Sequence, residues 1–374
     1  MSIKVGVIGC GFIAMFKHFP ALAEVEDLEI VAFCDIIPEK ASMMAGKYGT
    51  VLAKVTADYR ELLDNPEIDV VHICTPNNTH CEITCAALEK GKHVMCEKPM
   101  AVTSEEAEKM AETARRVGKK LTIGYQNRFR EDTQFMKRMV EAGDLGEIYF
   151  SKALACRRRG VPTWGVFTDK QKQGGGPLID LATHALDITL WMMDDYEPEL
   201  VMGQTFNKIG RKGSPANIGG SWDAETFEVE DSAFGMIRMK NGHTINIESS
   251  WVLNTLIANE ASVILCGTEG GADMFPADGP AVRESDAQAT DKLHIRYNGE
   301  SHGKLFSKNY SLGGVFIGNE KKEVMPGGLK ECQSWYNAIR SDKEVVVKPE
   351  QAVVVTRILE AVYQSAARGK AVNL

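Results

Sequence analysis

The chain of 374 residues carries 43 Lys and Arg against 51 Asp and Glu, a formal net charge of −8, with 44% hydrophobic and 25% charged residues. This is the composition of a globular protein with material for two domains, and an acidic balance with no basic run beyond Arg157-Arg158-Arg159 excludes the electrostatic footprint of a nucleic-acid binder. No stretch approaches the ~20 apolar residues that a bilayer span needs, the opening MSIKVGVIGCGF lacks the layout of a secretory leader, and nine cysteines without a C-x-x-C pair suit a cytoplasmic location and no zinc site.

Ile3–Ile8 predicts a short buried strand, followed by a glycine turn and a helix to about Glu24. Leu28–Cys34 is the next strand, and Pro38 marks a helix start, consistent with its fixed φ. Asp69–Cys74 is a third strand and His80–Lys90 a helix; His93–Cys96, a helix over Ser104–Val117 and a strand over Leu121–Gly124 complete the pattern. Near-continuous apolar strands alternating with helices predict a doubly wound parallel sheet covered on both faces, assigned to residues 1–125.

The remainder, 126–374, has a different texture. Ile148–Cys156, Glu199–Ile209, Ser232–Trp251, Ser262–Phe275 and Leu293–Tyr297 read as longer strands, and Asn241-Gly242 is a hairpin signal joining AFGMIRMK to HTINIES. A second α/β domain with a mostly antiparallel sheet is expected. Pro276–Thr290 reads as a polar loop. The last helix, about 349–367, ends in Arg368 and Gly369 and is a candidate to pack back on the first domain.

Gly9-Cys10-Gly11-Phe12-Ile13-Ala14 fits G-x-G-x-x-G/A, directly after a strand and opening a helix. The first glycine makes the turn, the second admits a pyrophosphate, and the helix N-terminus faces it with N–H groups. Asp35 follows Ala14 by 21 residues, at the end of the second strand, where a carboxylate accepts hydrogen bonds from a ribose. Ile36 and Ile37 offer no cation for a 2′-phosphate, which favours NAD over NADP.

HVMCEKPMA, residues 93–101, places Lys98 just beyond a buried strand. In an open α/β sheet, ligands bind beyond the carboxyl ends of the strands. Gly9, Asp35, Thr75, Lys98 and Gln126 all stand at such ends and are expected to line one crevice. A partly desolvated lysine there can hydrogen-bond a substrate hydroxyl and pass its proton; a surface salt bridge is the alternative. Glu97 is expected to pair with Lys98 or a neighbouring backbone group, and a cis Lys98–Pro99 bond is open.

A second signal lies in GGGPLIDLATHALDITLWMM, residues 174–193, a largely buried helix with Asp180, His184 and Asp187 at i, i+4 and i+7. A carboxylate one turn from an imidazole can orient it and raise its basicity. A satisfied core histidine is the alternative; a metal pair lacks a third ligand at suitable spacing.

GVIGCGFIA, CTPNNTH (74–80), CEKP (96–99), GYQNRF (124–129) and the D-x-x-x-H helix together resemble the Gfo/Idh/MocA family of sugar and polyol dehydrogenases over essentially the whole length. The resemblance implies a Rossmann domain followed by an α/β domain with an open sheet, through which such chains form homo-oligomers (a dimer, tetramer or hexamer). It implies that Lys98 contacts the reacting hydroxyl, with Asp180 and His184 the helical pair and His184 a general acid/base. It assigns Thr75 and His80 to the cofactor lining and Gln126 and Asn127 to the loop beside the nicotinamide. The expected cofactor set is Gly9, Gly11, Phe12, Ile13, Asp35, Ile36, Thr75, Asn77, His80, Glu97, Lys98 and Gln126; the substrate set is Asn127, Arg158, Trp164, Asp180 and His184. RRRGVPTWGVF (157–167) departs from the generic family, and Arg158 and Trp164 are either a sugar clamp or part of a subunit contact. The segment is similar to those of relatives that oxidise the C3 hydroxyl of glucosides to 3-keto sugars. The expected substrate is a sugar or glucoside; the alternatives are an inositol or other cyclitol, and a non-catalytic sugar- and nucleotide-sensing protein on the same fold.

Overall fold

The computed structural model describes residues 2–214, 216–256, 258–276, 293–312 and 327–374. The chain divides into two compact units, Met1–Phe129 with Lys321–Thr356, and Arg130–Glu320 with Arg357–Leu374. The expectation of one second domain over 126–374 therefore meets a return of the chain to the first unit, and the division falls inside the last helix.

The first unit is built on six parallel strands: β1 (Ile3–Ile8), β2 (Leu28–Cys34), β3 (Lys54–Thr56), β4 (Val70–Ile73), β5 (His93–Cys96) and β6 (Leu121–Ile123). Their order, β3-β2-β1-β4-β5-β6, reverses direction between β1 and β4 and is the order of a Rossmann sheet. Helices α1 (Phe19–Glu24), α2 (Pro38–Tyr48), α3 (Tyr59–Leu63), α4 (His80–Glu89) and α5 (Ser104–Val117) connect them. Thr103 and Gly118 explain why α5 matches the sequence so closely: the threonine hydroxyl accepts the Glu106 N–H, and Gly118 ends the helix at φ 65°. Short β3 and α3 escape sequence reading because neither is long enough to repeat its hydrophobic period twice.

Register positions the site. Ile8 pairs with Cys34 and with Ile73, Ile73 with Cys96, and Cys96 with Ile123. The carboxyl ends are therefore level, and Gly9, Asp35, Thr75, Lys98 and Gln126 follow at one edge. The returning segment contributes Cys332, Trp335 and Tyr336 to the core around Val5, Phe19, Phe33, Val70 and Met95.

Among the described residues, the second unit holds α6 (Glu131–Glu141), α7 (Lys170–Gln173), α8 (Thr183–Met193) and nine strands. The strands are β7 (Ile148–Cys156), β8 (Pro198–Phe206), β9 (Ser232–Met239), β10 (Thr244–Ser250), β11 (Asn259–Gly267), β12 (Gly270–Pro276), β13 (Leu293–Ser301), β14 (Lys304–Leu312) and β15 (Val372–Asn373). All their pairings are antiparallel except β7 with β10. The run read as one strand over Ser262–Phe275 is two, turning at Thr268-Glu269, and β14 was not anticipated. Met136 and Met139 of α6 and Ile188 and Met192 of α8 pack on Val263, Leu265, Met274 and Ile295. On the opposite face, Met202 pairs with Met236, which pairs with Asn246 and so with Lys152; both methionines are exposed. Helices α9 (Gly328–Arg340) and α10 (Pro349–Arg368) precede β15 in the chain. The polar stretch expected to be a loop, 276–290, lies outside the described residues apart from Pro276, which ends β12.

Candidate active site

The glycine turn in the first unit fits a dinucleotide. Gly9 has φ +90°, and a Cβ there would stand 2.5 Å from the Cys74 carbonyl oxygen, so no other residue serves. At Gly11 a Cβ would meet nothing within 4 Å. The turn is thus closed toward the sheet and open outward, which leaves room for a pyrophosphate. Asp35 is held at the rim of this turn: Oδ2 accepts the Cys10 N–H at 2.8 Å and Oδ1 the Ile37 N–H at 2.9 Å. Each oxygen keeps a lone pair for a ribose hydroxyl. Phe12 and Ile36 are exposed, Ile36 by 87%, and Ile13 is half-buried. The helix that follows begins with a π-helical turn, Ala14–His18, which buries Lys17 and His18.

Lys98 is half-buried, and its peptide bond to Pro99 is cis. Its backbone N–H donates to Glu97 Oε2 at 3.1 Å. His80, fully buried, turns Nδ1 to the Pro99 carbonyl at 2.8 Å and Nε2 to the Thr75 carbonyl at 3.0 Å. Both ring nitrogens thus face backbone carbonyls, so His80 sits between the Lys98–Pro99 turn and the end of β4, and its neutral ring donates to one of the two. Burial holds its pKa below the usual histidine value, against the pull of those two carbonyls. Asn77 is buried in the short turn before α4.

Glu97 meets the Lys98 backbone N–H through Oε2, one of the two pairings expected of it, and holds further partners on its other oxygen. Its Oε1 takes the Lys17 ammonium at 2.6 Å and His18 Nε2 at 2.8 Å. Burial raises its pKa, yet the Lys17 charge and the His18 hydrogen bond outweigh this and hold the carboxyl well below the usual range. Lys17 also reaches Glu331 at 2.7 Å and Gln126 Oε1 at 3.3 Å. Gln126 and Asn127 sit half-buried on a short 3-10 turn, Gln126–Phe129. Sequence reading missed Lys17, His18, His72, Glu331 and Tyr336; the one signal was Lys-His inside an apolar helix, MFKHF.

In the second unit the helix of Asp180 and His184 starts with a π-helical turn, Leu178–Ala182, and continues as α8. Both residues are half-buried, whereas Asp187, on the same predicted stripe, is fully buried. The glycine-rich entry is explained by Glu230, whose carboxylate accepts the Gly176 N–H at 2.9 Å and the Leu178 N–H at 3.1 Å. It thereby satisfies N–H groups that a helix start leaves open. The Tyr363 hydroxyl donates to the same carboxylate at 2.8 Å. A Cβ at Gly176 would run into the Glu230 carbonyl oxygen. Trp251 fixes Asp180 by donating its indole N–H to Oδ2 at 2.9 Å. Phe167 packs edge-on against both Trp251 and Trp164, at 6.3 and 6.1 Å between ring centroids. A line of rings thus runs from Asp180 to Trp164, which is 46% exposed. Arg158 is exposed as well, while Arg157 forks onto Glu260 at 2.7 and 2.5 Å. Trp251, Glu230 and Tyr363 had no recognisable signal in the sequence. Among the described residues, no group of three or more His, Cys, Asp or Glu is placed to hold a metal, and no helix is long and apolar enough to cross a membrane.

Comparison with known proteins agrees with this geometry. The chain is 37% identical to a D-glucoside 3-dehydrogenase from Escherichia coli over 372 residues, 100% of this chain and 97% of the relative. It is 30% identical to an inositol 2-dehydrogenase from Salmonella typhimurium over 200 residues, 53% of this chain and 56% of the relative. The solved structure of a levoglucosan dehydrogenase in complex with NADH and levoglucosan has the same fold, at a TM-score of 0.81 and 23% identity, covering 100% of this chain and 99% of that one. Residues 3–125 match an oxidoreductase-family NAD-binding Rossmann fold and residues 137–374 the family's C-terminal alpha/beta domain; the chain is an NAD-binding oxidoreductase and belongs to the Gfo/Idh/MocA family.

Proposed function

We propose that the protein is an NAD-dependent dehydrogenase that oxidises the C3 hydroxyl of a glucoside to a 3-keto sugar. The observation that carries this reading is the match to D-glucoside 3-dehydrogenase, which runs through the whole chain, whereas the inositol 2-dehydrogenase match covers 53% of it. Nicotinamide, when bound, supplies the hydride acceptor. Lys98 hydrogen-bonds the reacting hydroxyl, and His184 takes its proton as general base. Asp180, held by Trp251, orients the imidazole and stabilises the imidazolium that forms. Gly9, Gly11, Phe12, Ile13, Asp35, Ile36, Thr75, Asn77 and Gln126 hold the cofactor, with NAD favoured over NADP because Ile36 and Ile37 carry no charge for a 2′-phosphate. Trp164 offers a face for a sugar ring, and Arg158 and Asn127 supply hydrogen bonds. The exposed sheet face around Met202 and Met236 is the surface on which copies of the chain associate; sedimentation reads the mass, and a monomer at micromolar concentration rejects it.

The test follows near-ultraviolet absorbance of the protein with NAD against glucosides, free hexoses and inositols, with mass analysis of the products. Glucosides should raise the absorbance and yield a product lighter by two hydrogens. Faster turnover of inositols moves the assignment to a cyclitol dehydrogenase. Tight NAD binding with no keto product from any polyol leaves a sensing protein. Lys98→Met should abolish turnover and spare NAD affinity; turnover that survives rejects the role of Lys98.

A further inference from the structure

Six buried polar side chains of the first unit form one array that ends on the backbone of Lys98. Glu97 receives three N–H donors: Lys17 and His18 at Oε1, and the Lys98 peptide N–H at Oε2. Only an ionised carboxylate accepts all three, since an amide in its place turns an N–H toward at least one of them. Beyond His18 the array continues. His18 Nδ1 lies 2.8 Å from His72 Nδ1, and His72 Nε2 lies 2.9 Å from the Tyr336 hydroxyl. Glu331 flanks Lys17 on the other side at 2.7 Å. The packing leaves no slack: a Cβ on Gly124 would sit 2.8 Å from Glu97 Oε1 and 3.0 Å from the Lys17 ammonium.

The direction of the hydrogen bonds follows from chemistry. Glu97 accepts, so His18 Nε2 carries a hydrogen. Burial keeps His18 and His72 neutral, the Lys17 charge acting in the same sense, and burial keeps the Tyr336 hydroxyl protonated. A neutral His18 with hydrogen on Nε2 must accept at Nδ1. His72 therefore donates from Nδ1 and accepts at Nε2, and the remaining donor is the Tyr336 hydroxyl. The sequence of donation runs Tyr336 to His72 to His18 to Glu97, and no reversed order satisfies Glu97.

We infer that this array is a positioning device for Lys98, with Glu97 the residue that sets its hydrogen-bond direction and passes it to the peptide bearing Lys98, and Tyr336 the donor that closes its far end. The inference rests on the reading that Lys98 contacts the reacting hydroxyl. It assigns a role in the reaction to the returning segment, because Tyr336 lies on α9. Tyr336→Phe removes only the hydroxyl and keeps the ring stacked on His72 at 6.0 Å. Without that donor, His72 Nε2 is left buried and unsatisfied, which loosens the far end of the array while the order His72 to His18 to Glu97 stays fixed from the Glu97 side.

The test has two readouts. Histidine 15N shifts of the unmodified protein should show His18 with hydrogen on Nε2 and His72 with hydrogen on Nδ1, both neutral at pH 7. In Tyr336→Phe both tautomers should persist with the His72 Nε2 shift moved by the loss of its donor, and kcat should fall on the order of tenfold with KM within about twofold, as expected for a displaced reactive group rather than lost binding. Glu97→Asp should retain more kcat than Glu97→Gln, because charge and acceptor count survive in the former. The opposite tautomers, or a doubly protonated His18, overturn the array. Correct tautomers with an unchanged kcat in Tyr336→Phe overturn its positioning role. Should Tyr336→Phe fail to fold, the unmodified protein's shifts and the Glu97 pair still decide. Turnover that survives Lys98→Met sinks the reading of Lys98 and leaves the tautomer pattern intact, so the two failures are distinguishable.

Discussion

Lys17→Met isolates the electrostatics of the buried cluster. Lys17 stands between Glu97 at 2.6 Å and Glu331 at 2.7 Å, and all three side chains are at most 5% exposed. Removing one partner from a buried ion pair costs about 3–5 kcal/mol, mainly because the remaining charge is left uncompensated. Solvent screening is slight at this depth, so no discount applies. The pH dependence gives a sharper signature than the magnitude. In the unmodified protein the Glu97 pKa is depressed below its ordinary 4.5, so its stabilising contribution is complete above that pH and is lost as pH falls through the lower folded-state value. In Lys17→Met the main lowering influence is gone and burial raises the Glu97 pKa above 4.5. Glu97 then destabilises the fold at neutral pH, and the penalty fades as pH falls toward the unfolded value. The difference between the two proteins should be near 4 kcal/mol at pH 7 and shrink toward pH 5. Urea unfolding at pH 8, 7, 6 and 5 measures it. A difference under about 1 kcal/mol at pH 7, the range of an exposed pair, or one constant with pH, refutes the reasoning.

Two further outcomes follow from backbone geometry and capping. Gly9→Ala places a Cβ against the Cys74 carbonyl at a φ of +90°, so NAD affinity should drop by at least about tenfold, on the order of the 1–3 kcal/mol such strain costs, as read by NADH fluorescence; unchanged affinity would show that the turn does not hold the cofactor. Glu230→Gln keeps the shape but offers one acceptor oxygen where two now meet the Gly176 and Leu178 N–H groups. A loss of about 1–3 kcal/mol in unfolding free energy is expected, together with a fall in kcat if the start of the Asp180 helix shifts; full stability would contradict the capping role.

Much of the first unit was legible because its signals are local. Four-residue apolar strands such as VVHI and HVMC fit only a sheet buried on both faces, and Gly9, Gly11 and Asp35 have meaning at their spacing alone. Lys98 stood out because an ammonium after a buried strand needs a reason. In the second unit, Asn241-Gly242 marked its hairpin for the same kind of reason. The helix Glu131–Glu141 was within reach, since Phe135, Met136, Met139 and Val140 recur at helical spacing.

What the chain order could not reveal is which buried polar groups find each other. Lys17 and His18 sit in an apolar helix whose sequence does not say which groups they meet, and their partners Glu97, His72 and Glu331 lie just beyond β5, on β4 and in the returning segment. Trp251 reaches Asp180 from just beyond β10, and Glu230 caps a helix that starts more than fifty residues earlier. Backbone periodicity is a property of neighbouring residues, so local sequence determines it. The satisfaction of a buried charge depends on sheet register and on where a distant segment returns, and only the tertiary structure decides that.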